Sequence, residues 1–229
     1  EQVNSLGSIT DHQAETLSYF KGDQLNLSGL IQISNKQAKL LSNFLQTRSK
    51  ASLDLSGLNS ITDTQAEVLS KAEFVLQLNG LTSITDKQAE SLGKISRLHL
   101  NGLTIISDRQ AECLCDVHLL ELNSLTSISE TQVESLRNIR NLHLDGLNSI
   151  TDYQAETLGQ FGGDFQELHL NGLTSITDAQ AESLSKVKDS LLLDGLRSIT
   201  DAQAESLSKV ADLFIPEDLQ PLIDKYKKP

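Results

Sequence analysis

The chain has 229 residues, a net charge of −12, 4% aromatic residues and neither Met nor Trp. With so negative a net charge we expect no basic surface stripe that could neutralise the phosphates of a nucleic acid. This argues against nucleic acid as a partner. The apolar runs are far shorter than the roughly 20 residues of a membrane span, so we expect no membrane insertion. The only cysteines, Cys113 and Cys115, exclude a disulfide framework. They either replace small residues such as Ser183 and Ser185 of another repeat or form a Cys-x-Cys metal site.

A module that recurs nine times predicts the architecture. Its clearest copy is LHLNGLTSITDAQAESL, from Leu168 to Leu184. Repetition with a period of 22 to 28 residues is typical of a solenoid, in which each repeat buries its apolar side against its neighbours. The glutamine of the module recurs at Gln13, Gln37, Gln65, Gln88, Gln110, Gln132, Gln154, Gln180 and Gln203.

The first part of each module predicts a short strand. Apolar and polar residues alternate over Leu98-His99-Leu100, as in a strand with one buried face. Stacked about 4.8 Å apart, these strands would form one parallel sheet. A glycine such as Gly102 usually follows. It permits either a positive φ or a close backbone approach where the chain leaves the sheet.

The second part of each module predicts a short helix of roughly eight to ten residues. Thr or Ser stands at the N-cap and Gln follows three residues later, which is a capping box. The residue after the cap is acidic in eight of nine repeats and complements the helix dipole. The net charge is therefore mainly a by-product of capping. The N-cap residues are Thr62, Thr85, Ser107, Thr151, Thr177 and Thr200.

Two insertions and the C-terminus depart from the module. We expect residues 43–50 and 161–165 to bulge from the convex side or the edge, as extra helical turns or as functional loops. Residues 213–215 predict a tenth strand, after which Pro216 ends the pattern. The predicted domains are therefore a solenoid over residues 1–215 and a capping helix over 216–229. The apolar face of that helix would consist of Leu219, Leu222, Ile223 and Tyr226.

The pattern from Leu98 through Leu103 and Ile106 to Asp108 resembles the leucine-rich repeat family, and the resemblance covers residues 1–215. It is most similar to the cysteine-containing type and its bacterial relatives, although that type usually has Cys where this chain has Leu103. The resemblance implies an α/β fold, a right-handed solenoid or horseshoe with a parallel sheet on the concave face and short helices on the convex face. It also implies binding of a protein or peptide. For location we favour a secreted or surface protein of a bacterium.

The concave face carries the candidate partner-binding residues. The N-terminal third of this face carries mainly uncharged polar side chains, whereas the stretch from Arg97 to Leu192 includes histidine and charged side chains. Side chains about 5 Å apart on neighbouring strands could form a partner-binding patch or a solvated hydrogen-bonding surface. Alternatively, His143, His169 and Glu121 could share a transition metal. The candidates are Arg97, His99, Glu121, Asn141, His143, Asp145, Glu167, His169 and Leu192.

Catalysis has no support in the sequence. Asp145 and Asp194 would lie two strands apart, on the order of 10 Å, on an open surface instead of a cleft. We therefore expect no catalytic residue and no cofactor, and we predict a non-catalytic binding scaffold. The alternative is a spacer or assembly module of a larger surface protein. Since Glu1 falls inside the first module, we expect a mature or trimmed fragment.

Overall fold

The computed structural model describes residues 7–46, 51–71, 75–160 and 167–227. The chain divides into two compact units, Glu1–Glu121 and Leu122–Pro229. The first unit contains α1 Asp11–Ser18, β1 Gln24–Asn26, α2 Asn35–Gln46, β2 Ser52–Asp54, α3 Asp63–Leu69, β3 Val75–Gln77, α4 Asp86–Leu92, β4 Arg97–His99, α5 Asp108–Leu114 and β5 Leu119–Glu121. The second contains α6 Glu130–Leu136, β6 Asn141–His143, α7 Asp152–Gly159, β7 Glu167–His169, α8 Asp178–Leu184, β8 Ser190–Leu192, α9 Asp201–Leu207, β9 Asp212–Phe214 and α10 Gln220–Asp224.

Within each unit the strands form a parallel sheet in chain order. Strands β1 to β5 pair successively in the first unit, and β6 to β9 pair in the second. The middle residue of a strand is the leucine that the alternation predicted to be buried. In the second unit these residues lie in register as Leu142, Leu168, Leu191 and Leu213, and the first three are fully or almost fully buried.

The last strand predicted from the sequence, at residues 213–215, is present one residue earlier, as Asp212–Phe214. It is the ninth strand among the described residues; the predicted count of ten includes a first module whose upstream part lies in residues 1–6, outside the described residues. Eight of the described helices span only seven or eight residues, most of them shorter than predicted. The chain turns back towards the sheet soon after the leucine four residues past the glutamine, for example Leu184.

The first insertion lengthens a helix. Helix α2 has 12 residues and includes residues 43–46. Phe44, on the added turn, is fully buried, and its ring centroid lies 6.4 Å from that of Phe20. Residues 47–50 and the second insertion, 161–165, lie outside the described residues.

The capping boxes predicted from the sequence are present and are joined by a bond that the pattern did not predict. In α3, the hydroxyl of Thr62 accepts from the backbone N–H of Gln65, whose Oε1 accepts from the backbone N–H of Thr62. The Nε2 group of Gln65 then donates to the carbonyl of Ile33 in the preceding repeat, at 2.7 Å. The equivalent pairs are Gln37–Ile9, Gln88–Ile61, Gln110–Ile84, Gln154–Ile128, Gln180–Ile150 and Gln203–Ile176. We call this series the glutamine ladder.

The acidic residue at the start of each helix has a second structural role. Besides complementing the helix dipole, it can accept a hydrogen bond from the N-cap hydroxyl of the next repeat. Thr177 donates to Oδ1 of Asp152 at 3.1 Å, and Thr200 donates to Asp178 at the same distance. These contacts add packing between repeats to the helix capping that the sequence predicted for these acidic residues.

Replacing Thr177 with Ala should lower the free energy of unfolding by about 1–2 kcal/mol, because both the N-cap acceptor and the donor to Asp152 are lost. Chemical denaturation followed by circular dichroism measures the change. Thr177→Ser is the control, since it keeps the hydroxyl and should cost less than half as much. Equal losses in the two variants would show that the methyl group, not the hydrogen bonds, is responsible.

The C-terminal segment packs onto the last repeat. Helix α10 contacts α9, and Leu219 and Ile223 are buried there. Both residues belong to the apolar face predicted for a capping helix. Among the described residues, no helix is both long and apolar enough to cross a membrane.

Candidate functional site

The first and third residues of each strand lie on the face opposite the buried leucines, which we call the open sheet face. In the second unit, strand pairing places these side chains in two columns. The first column is Asn141, Glu167, Ser190 and Asp212, and the second is His143, His169, Leu192 and Phe214. Five of the nine residues proposed from the sequence are therefore brought onto one face of this unit.

His143 and His169 stack on one another at the centre of this face. They are partners in register on β6 and β7. Their ring centroids lie 3.6 Å apart and the rings are inclined by 10°. The predicted side-chain separation of about 5 Å, which followed from the strand spacing of about 4.8 Å, was too long. The two stacked rings lie closer together than the strands that carry them.

Glu167 lies beside this pair and is held from two sides. Its Oε1 is 2.9 Å from Nε2 of His169, and its Oε2 accepts a hydrogen bond from Nδ2 of Asn141 at 2.9 Å. Nε2 of His169 is buried and makes no well-aligned hydrogen bond among the described residues, so its contact with Glu167 is chiefly electrostatic. Burial alone would raise the pKa of Glu167, but the contacts with His169 and Asn141 and the nearby imidazole charges lower this pKa.

The histidines have an apolar neighbour that was not predicted from the sequence. Phe214 pairs with Leu192 on β8 and β9 and is 51% exposed. Leu192 in turn pairs with His169. The alternation around Leu213 was the signal that could have placed Phe214 and Asp212 on the open sheet face.

In the first unit, two other candidates pair with each other. Nδ1 of His99 lies 2.9 Å from Oε2 of Glu121, and both side chains are less than one-fifth exposed. The same carboxylate oxygen accepts from Nδ2 of Asn101 at 2.7 Å. Arg97 is exposed at the start of β4 and lies in register with Val75 and Leu119.

Asp145 takes part in a ladder that links successive repeats. Its Oδ1 accepts from the backbone N–H of Asn171 at 3.0 Å, while its own N–H donates to Oδ1 of Asn123. The side chain of Asn171 accepts in the same way from the N–H of Asp194. Part of the hydrogen-bonding capacity of Asp145 is therefore used within the fold, a role that was not predicted from the sequence.

Alternating parallel strands and short capped helices, with a buried leucine in most strands, give this α/β protein the leucine-rich repeat fold that the sequence predicted. No family model and no curated protein matches the sequence. Among solved structures, the leucine-rich repeat-containing protein LegL7 from Legionella pneumophila is similar over 99% of this chain and 89% of that chain, with 16% identity and a TM-score of 0.67. An internalin (inlF) from Listeria monocytogenes aligns with 96% of this chain and 88% of its own, at 12% identity and a TM-score of 0.37, too low to indicate a shared fold.

Proposed function

We propose that this protein is a non-catalytic scaffold that binds a protein or peptide through the open sheet face of its second unit. The fold supports a role in protein interaction in general. The observation that carries the proposal for this face is the exposed ring of Phe214 beside Leu192 and the stacked histidines. Aromatic side chains on an accessible surface are frequent anchors of protein interfaces.

Charge complementarity indicates the chemistry of the partner. The two columns of this face include the carboxylates of Glu167 and Asp212 and contain no Lys or Arg. The lowered pKa of Glu167 keeps its carboxylate ionised at neutral pH. A segment with a basic side chain next to an apolar or aromatic one would place its charge near these carboxylates and its apolar group on Phe214.

Peptides selected from a random phage-displayed library on the wild-type protein should depend on this apolar pair. The double variant Leu192→Ser/Phe214→Ser should weaken their binding by about 30-fold or more, since the loss of a central anchor costs about 2 kcal/mol. Fluorescence anisotropy with the synthetic peptides measures the dissociation constants.

Ile105→Ser is the matched control, because Ile105 is 75% exposed but lies between β4 and α5 instead of on a strand. Its affinity for the peptides should equal that of the wild type. The unfolding midpoint of each variant shows whether the fold is intact. Failure to select any peptide, or an equal loss of binding in the control, would overturn the proposal and favour a spacer.

A further inference from the structure

We infer that His143, Glu167 and His169 form a binding site for a divalent transition-metal ion such as Zn²⁺. Each residue offers one ligand atom, and these atoms all lie within 4.8 Å of one another. Two imidazoles and one carboxylate are a donor set of zinc sites in which one coordination position stays open. Such a set also binds other first-row divalent ions, with affinities that follow their usual order.

The sheet brings the ligands together before an ion arrives. His143 and His169 are in register on adjacent strands, and Glu167 is two residues before His169 on β7. Zinc takes ligands at about 2.0–2.2 Å, so the donor atoms of a tetrahedral site lie roughly 3.3 Å apart. Ligand atoms within 4.8 Å reach that spacing by side-chain rotation. The lone pairs of stacked imidazoles are nearly parallel, so metal binding turns the rings towards a common point.

Coordination would also give one buried nitrogen a well-aligned bond. Nε2 of His169 is buried, and its contact with Oε1 of Glu167 at 2.9 Å is poorly aligned for a hydrogen bond, a costly arrangement for a polar group. A metal ion would bind this nitrogen through its lone pair and remain in contact with Glu167. Asn141, which donates to Glu167 at 2.9 Å, would orient the carboxylate as an outer-shell partner.

This inference does not rest on the proposed binding of a peptide, and it is tested with no peptide present. Tag-free protein should bind Zn²⁺ at one saturable site in isothermal titration calorimetry. Co²⁺ should give the intense visible absorption bands of a four-coordinate ion. Zn²⁺ should also raise the unfolding midpoint of the wild type, since a ligand of the folded state stabilises it.

The chain supplies a matched control, because it contains five histidines. The double variant His143→Ala/His169→Ala should lose more than the roughly 10–100-fold in affinity that an outer-shell partner is worth. His99→Ala/His118→Ala removes the same number of imidazoles elsewhere and should keep the wild-type affinity. Asn141→Ala should weaken Zn²⁺ binding by about 10–100-fold while retaining the 1:1 stoichiometry.

Any one of three results would overturn the proposal of a metal-binding site. They are the absence of saturable Zn²⁺ binding, the weak absorption of six-coordinate Co²⁺, and an equal loss of affinity for Zn²⁺ in the two double variants. Circular dichroism checks the fold of each variant. If His143→Ala/His169→Ala does not fold, Glu167→Gln replaces it, because this near-isosteric change removes a ligand charge and should still lower the affinity for Zn²⁺ at least tenfold.

Discussion

Replacing Gln154 with Leu should lower the free energy of unfolding by about 2–4 kcal/mol, because the loss of the capping bond costs about 1 kcal/mol and the buried carbonyl of Ile128, left without its partner, costs about 1–3 kcal/mol. Gln154 is 7% exposed. Its Oε1 accepts from the backbone N–H of Thr151 at 2.8 Å, and its Nε2 donates to the carbonyl of Ile128 at 2.6 Å. Leucine is similar in size but can make neither bond.

Gln13→Leu is the control for this prediction. Gln13 makes the same capping box with Thr10, but its side chain is exposed to solvent. Its replacement should therefore cost only about 0.5–1 kcal/mol, the usual value of a cap. Denaturant unfolding followed by circular dichroism gives both changes. Equal losses would show that the contact with the preceding repeat contributes little beyond capping.

The hydrogen bonds of the glutamine ladder stabilise the fold and also help to determine which strand residues lie on the open sheet face. Each glutamine is fixed at its own helix start and at the preceding repeat, as Gln180 is at Thr177 and Ile150. The spacing between helix start and strand is constant in the module, so this bond helps to hold neighbouring strands in register. A slip of one residue would turn His169 and Leu192 from the open face towards the core.

Repetition made the fold predictable from the sequence. Nine copies repeat the alternation around Leu98 and the Thr177–Gln180 capping box, so each local signal was confirmed many times. The bond from Gln180 to Ile150 was not predicted, because it joins residues 30 positions apart. A capping-box pattern accounts for the glutamine oxygen and gives no information about where its Nε2 group points.

The candidate site was predictable only in part. Strand register follows from the repeat, so it placed His143 beside His169 correctly. The stacking of their rings and the contact of Glu167 with His169 depend on side-chain rotamers, which the pattern does not encode. Phe214 was missed because residues 213–215 were predicted to be a strand, but the candidate residues on the open sheet face were taken only from the strands up to Leu192.

At Gly172, the glycine that follows β7, the backbones of neighbouring repeats approach one another closely. A Cβ on Gly172 would lie 2.2 Å from the carbonyl oxygen of Asp145 and 2.5 Å from that of Leu147. Of the two roles expected for such glycines, the structure therefore gives Gly172 the close backbone approach. Both neighbours are backbone atoms, so the repeats would have to separate to admit a methyl group.

Gly172→Ala should therefore lower the free energy of unfolding by about 1–3 kcal/mol, the cost of overpacking. Gly7→Ala is the matched control, because among the described residues a Cβ there would meet only the side chain of Ile31, at 3.9 Å, and its effect should stay within about 0.5 kcal/mol. Denaturant unfolding measures both. If the two changes were equal, the close backbone approach at Gly172 would not limit stability.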